Sequence, residues 1–184
     1  MEPMKKSKII RRLTQCIDPR QLCRVYMKYS DDYFYYFPLK VNDKFFLGAV
    51  EDDFQLDGYC IRRIKQVQKA QIRDDKCLEI EIAEGLVKDI AVPKVSLSDW
   101  PQMFRSLRAM NRNIIIEHES RDRKKCEFYI GRIEEVKKHS VIFRHFDADG
   151  VWQEETVKIP YSHITSVTFG ARYVDVFSKY LPKI

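Results

Sequence analysis

Metal or catalytic chemistry in this chain would have to begin at its histidines, acids and thiols, and their spacing supplies only fragments of a site. His118 stands between Glu117 and Glu119, while His145 and Asp147 are two residues apart and so share one face of a strand. Either group offers two ligands to an ion such as zinc that takes four, and no third follows at ligand spacing. Alternation with apolar residues reads instead as solvated or hydrogen-bonded imidazoles, with His163 capping the turn before Ile164. The five cysteines, at 16, 23, 60, 77 and 126, form no CxxC pair and sit among apolar neighbours, so they read as buried free thiols in a reducing compartment. There is no GxGxxG, GxxxxGK, GxSxG or HExxH, and each of the six glycines stands alone. The chain is therefore expected not to be an enzyme and to use no cofactor or metal.

Binding chemistry has more support. Tyr26, Tyr29, Tyr33, Phe34, Tyr35, Tyr36 and Phe37 put seven rings into twelve residues. In a strand Tyr33, Tyr35 and Phe37 face one way, and Phe34 and Tyr36 the other. One core cannot take both sets, so Phe34 and Tyr36 are candidates for a protein interface or a base-stacking surface. No dense Lys/Arg run interleaves with these rings, and tyrosine and phenylalanine suit protein contacts, so the expectation is that protein covers both faces. Cations lie elsewhere. Residues 1 to 12 hold Lys5, Lys6, Lys8, Arg11 and Arg12 against Glu2, which accounts for +4 of the net +6. Arg105, Arg108 and Arg112 share a helix face by their spacing, and Arg121 and Arg123 lie in the charged turn RDRKK. Lys5, Lys6, Arg11, Arg12, Arg105, Arg108, Arg121 and Arg123 are the candidate contacts to nucleic acid, although a charge run at a terminus is also an ordinary solvated face.

The elements that must position these residues follow from periodicity. Ile9, Ile10, Leu13 and Cys16 recur at helical spacing over residues 5 to 16, and Asp18-Pro19 stops that helix. Strand-like runs follow from Leu22 to Ile72, broken at Asp31-Asp32, Asn42-Asp43 and Asp57-Gly58. Residues 74 to 97 fit two readings, since Leu78, Ile80 and Ile82 alternate like a strand while Leu78, Ile82 and Leu86 fit a helix. Ser98 is expected to cap a helix carrying Trp100, Phe104, Leu107 and Met110. Five further strands and a helix over 172 to 181 complete the chain.

The order helix then strands thus occurs twice, and the copies close on similar runs, YCIRRIKQV at 59 to 67 and IPYSHITSV at 159 to 167. Ile64 and Val67 correspond to Ile164 and Val167 at an offset of one hundred, which predicts equivalent buried strand positions. Two pairings are available upstream: FFLGAVED with FYIGRIEE, which deletes a strand pair, or Phe34-Tyr35 with Phe128-Tyr129, which does not and is preferred. A length of 184 residues suits two small domains, 1–97 and 98–184.

The runs EFYIGRIEEV, SVIFRHFDADGVW and IPYSHITSVTFGARY resemble a group of bacterial proteins with two Sm-like barrels in tandem. The resemblance implies a mainly β fold of two small antiparallel Sm-like barrels, each preceded by a helix, with a C-terminal helix. It does not extend to the uridine pocket of true Sm proteins: HFDADGVW has Asp147 and Asp149 but no Asn, and FGARY lacks an Arg-Gly. The expected function is a binding or assembly module working through protein contacts or self-association, with electrostatic binding of RNA or single-stranded DNA as the alternative. No apolar run approaches the roughly 20 residues that span a bilayer, and a cytoplasmic location is expected.

Overall fold

The computed structural model describes residues 3–183, which divide into two compact units meeting at the Pro93 to Lys94 bond. In the first unit, helix α1 (Lys6–Gln15) precedes strands β1 (Cys23–Met27), β2 (Tyr33–Val41), β3 (Phe45–Asp52), β4 (Gln55–Arg63) and β5 (Val67–Ile72). Two short helices follow, α2 (Lys76–Ala83) and α3 (Leu86–Asp89), so the stretch left open by its periodicity is helical. In the second unit α4 (Trp100–Arg108) precedes β6 (Ile114–His118), β7 (Glu127–Val136), β8 (Ser140–His145), β9 (Val157–Pro160) and β10 (Ser166–Phe169), and α5 (Arg172–Ser178) closes the chain. The protein is mainly β, and its strand pairs are antiparallel.

Both units string their strands in one order: β5-β1-β2-β3-β4 in the first, β10-β6-β7-β8-β9 in the second. The second strand of each unit is β2 and β7, which agrees with the pairing of the two FY dipeptides to within one residue. Cys23 sits opposite Tyr36 as Ile114 sits opposite Gly131, and the ladder slips between Pro38 and Lys40 as it does between Ile133 and Glu135. Ile64, Val67, Ile164 and Val167 are all buried. Only the valines lie in strands, however: Ile64 opens a 3₁₀ turn and Ile164 lies between the turn at 161–163 and β10. The expected barrels are open sheets among the described residues, because β4 does not pair with β5, nor β9 with β10.

The first core explains the placement of α1. Ile9 and Leu13 of the helix and Cys16 just after it meet Cys23, Val25 and Met27 of β1, Tyr36 and Phe46, and Ile64, Val67 and Ala70. Alternation in β1 buries Cys23, Val25 and Met27 and turns Arg24 and Tyr26 outward. Along β5, the Ala70 carbonyl accepts from Arg12 Nη1 at 2.9 Å and the Gln68 carbonyl from the Met4 amide at 2.9 Å. Cys16, Cys23 and Cys60 are buried thiols, whereas Cys77 and Cys126 are exposed, against the expectation for all five. Helix α4 is capped by Asp99, whose carboxylate accepts from Gln102 N at 2.8 Å, and not by Ser98, which bonds Ser96 instead. In β7, Gly131 lies opposite His145 so closely that a Cβ there would fall 2.0 Å from the Arg144 carbonyl oxygen.

Candidate nucleic-acid interface

The rings of β2 divide in an unexpected way. Tyr36 is buried in the first core against Phe46, at 5.4 Å between centroids, and its hydroxyl accepts from Arg62 Nε at 2.9 Å. Phe34 is partly buried against the same core with the Arg62 guanidinium 4.5 Å over its ring. Tyr36 is therefore a core residue rather than an interface ring, and Phe34 largely so. On the opposite face Phe37 is fully buried, but Tyr35 is half-buried and Tyr33 is 46% exposed. Within the chain, protein covers the Phe34 and Tyr36 face but leaves this end of the other face open, so coverage there would need a second molecule.

What surrounds Tyr33 and Tyr35 comes from neighbouring strands. The register sets Arg24 opposite both Tyr35 and Gln71, and Tyr26 opposite both Tyr33 and Lys69. Arg24 lies 4.4 Å over the Tyr33 ring and 5.3 Å over that of Tyr35, whose hydroxyl accepts from Arg24 Nη2 at 2.6 Å. Tyr33 meets Tyr26 and Tyr35 edge-on, at 5.6 and 5.3 Å. Lys69 Nζ stands 5.4 Å over Tyr26, and Arg73, which is paired with Asp75, lies 6.0 Å from Tyr35. Cation–π contacts and edge-to-face ring packing fix these side chains on the outer surface. Beyond Tyr35 the face ends at Glu51 of β3, whose carboxyl burial pushes above its ordinary pKa.

Lys69 also belongs to a groove of about 580 Å³ between α1 and β5, whose other walls are Arg11, Arg12, Gln15, Gln71 and Ile72. Among the described residues no carboxylate lines it. The groove and the tyrosine face share Lys69 and Gln71, so cations and rings alternate across β5, β1 and β2. Of the cations picked out in the sequence, Arg11 and Arg12 are brought here. Lys5 and Lys6 are exposed at the start of α1. Arg105 lies near Tyr161 in the second unit, Arg108 lines a separate groove there, and Arg121 and Arg123 are exposed in the turn before β7. Arg24, Lys69 and Arg73 escape a reading of the sequence because their relation to the rings is one of register. The visible signal is the alternation of Arg24 and Tyr26 on the outer side of β1.

The histidine groups do not assemble a metal centre, and among the described residues no three His, Cys, Asp or Glu side chains do. His118 and His163 stand 5.6 Å apart, and His145 packs edge-on against Tyr129 at 5.6 Å. Burial pulls the His145 pKa down, with the Asp147 charge opposing it. No helix is long and apolar enough to cross a membrane among the described residues. No family model, curated protein or solved structure matches this chain.

Proposed function

We propose that the protein binds single-stranded nucleic acid, RNA or DNA, along the face of its first unit that runs from the α1 groove across β5 and β1 to β2. The observation that carries this reading is the interleaving of outward-facing tyrosines with cations: exposed Tyr33 and half-buried Tyr26 and Tyr35 alternate with Lys69 and Arg24. Bases stack on rings or on a guanidinium plane while cations neutralise the phosphates, a combination suited to an unpaired strand. A groove that holds Arg11, Arg12 and Lys69, with no acid among the described residues lining it, extends the path by electrostatics. With no base-edge pocket in this reading, sequence preference is weak. On this reading each unit is a helix with an open, Sm-like five-stranded sheet, and the first copy carries the binding face.

A labelled oligonucleotide titrated against wild type, Tyr33→Ala and the pair Arg11→Ala with Lys69→Ala tests it. Tyr33→Ala should weaken binding by roughly 1–3 kcal/mol. The double variant should lower the slope of log K against log salt by about 0.7 for each phosphate that is no longer neutralised. Binding that is absent at low salt, or unaffected by both changes, removes the proposal.

A second reading, a protein contact, has its own observation. Tyr173 and Val176 of α5 and Tyr180 just beyond it are exposed at a spacing that puts them on one side. Should the first reading fail, this surface is where a protein partner or a second copy is to be sought, by comparing the solution mass of wild type with that of Tyr173→Ser/Tyr180→Ser.

A further inference from the structure

The second unit contains a groove of about 790 Å³ that the proposed nucleic-acid face does not use. Its walls come from the end of α4 and the turn after it, from β7, from Trp152, and from α5 with the residues that follow. Four cations line it, Arg108, Arg112, Arg132 and Lys183, against two carboxylates. Both carboxylates are already engaged: Asp175 bonds Arg112 at 2.6 Å, and Glu134 bonds Arg132 Nε at 2.9 Å and Arg144 Nε at 3.0 Å. Arg108 and Lys183 have no carboxylate partner among the described residues, and both are exposed. Among the described residues, the groove thus carries two cations that no carboxylate pairs with.

Its walls are fixed by contacts of their own. Asn113 Nδ2 donates to Ser178 Oγ at 2.8 Å, which ties the turn after α4 to α5. Trp152 Nε1 donates to the Pro182 carbonyl at 3.0 Å, so the segment after α5 is held against the indole. Arg132 is held between the Glu134 carboxylate and the Trp152 ring, 5.6 Å from its centroid. Phe146 braces that ring edge-on at 5.2 Å. A wall of Trp152, Ile133 and Leu181 is apolar and partly aromatic, while Arg108, Arg112 and Lys183 supply charge.

We infer that this groove binds a nucleoside phosphate, with the phosphoryl group neutralising Arg108 and Lys183 beside Arg112, and the planar base against the Trp152 wall. The chemistry of the lining and the volume decide the class. A bare phosphate would satisfy the cations and leave the indole side unused. A neutral ring would leave two cations uncompensated. The volume lies within the range of small-molecule pockets, roughly 300–1,000 Å³. Arginine offers a phosphate paired, forked donors, and a guanidinium packed on an indole presents a flat surface on which a base stacks. The same chemistry is presented by a free nucleotide and by the phosphorylated end of a strand. The inference does not rest on the first unit's face.

Calorimetric titration of the full chain with a nucleoside 5′-monophosphate, the unphosphorylated nucleoside and inorganic phosphate tests it, in wild type and in Arg108→Ala/Lys183→Ala. Both altered side chains are exposed, and a thermal melt verifies that the variant remains folded. The monophosphate is expected to bind saturably and at least about tenfold more tightly than either fragment, and to lose about tenfold in the double variant. Equal affinity for phosphate and monophosphate, an unchanged double variant, or no saturable binding overturns the inference. The two sources are separated by 5′-phosphorylated and 5′-hydroxyl oligonucleotides titrated into a chain whose first face is disabled by Tyr33→Ala/Lys69→Ala. A gain that needs the 5′-phosphate supports the pocket with a strand end as ligand. Binding of the mononucleotide alone supports it with a free nucleotide.

Discussion

Burial inverts the expected roles of single residues in α2. This helix turns Leu78 and Glu81 inward and leaves Ile80 and Ile82 exposed, which is why neither its strand-like nor its helical apolar spacing identifies it. Glu81 is 1% exposed, its Oε2 has no hydrogen-bond partner among the described residues, and burial, with a smaller part from the Glu51 charge, pushes its carboxyl up to about 7. An unfolded chain ionises this residue near 4.5, so the folded state holds the extra proton between that pH and about 7. The contribution of Glu81 is therefore neutral below the lower value, becomes destabilising as pH rises through the interval, and levels off above 7. Thermal melts from pH 4.5 to 8 should show Glu81→Gln gaining on wild type as pH rises, by on the order of 3 kcal/mol at the plateau. A constant difference across that range refutes it. The residues of the candidate face are partly legible in the sequence: Arg11 and Arg12 stand out as charge, and the rings as density. Lys69 and Arg24 do not, since only the antiparallel register of β5, β1 and β2 sets them beside tyrosines that are distant in the chain.

Elements show the same division between what is local and what is not. Helix α1 follows from the period of Ile9, Leu13 and Cys16, and the breaks between strands follow from Asp, Asn and Gly, all readable within a few residues. The cap of α4 falls one position beyond the expected one, because Ser98 and Asp99 are both competent acceptors and only the backbone settles which reaches Gln102. Asp99→Ala should cost about 1 kcal/mol in denaturant unfolding, and Ser98→Ala much less. Gly131 stands where the β7 and β8 backbones pass too closely for any side chain. Gly131→Ala must displace the Arg144 carbonyl, and the expected loss is about 3 kcal/mol or more, with the strand pair between β7 and β8 losing amide protection in hydrogen exchange first. Ile164→Ala, which only empties a buried site, should cost roughly 2–5 kcal/mol without selective loss in that pair.

At the scale of the whole molecule, a repeated strand order emerges from a sequence whose halves share only short runs. Barrel closure is the part that local patterns do not encode, because it depends on whether β4 reaches β5. What stands there instead is a strand, β5, with β1 as its only strand neighbour among the described residues, and Arg12 and the Met4 amide attached to its outer carbonyls. A strand edge of this kind is a template for further pairing, and proteins commonly blunt such edges with charge or with a covering segment. Arg12 is then a guard as well as a cation. Arg12→Lys keeps the charge but replaces the guanidinium that reaches the Ala70 carbonyl. It should leave the salt dependence of oligonucleotide binding nearly unchanged while making the protein self-associate through β5 at high concentration, as light scattering over a concentration series would report. An anion drawing Arg12 away from Ala70 would have the same effect, so ligand binding in the α1 groove would itself expose the edge and couple occupancy to assembly.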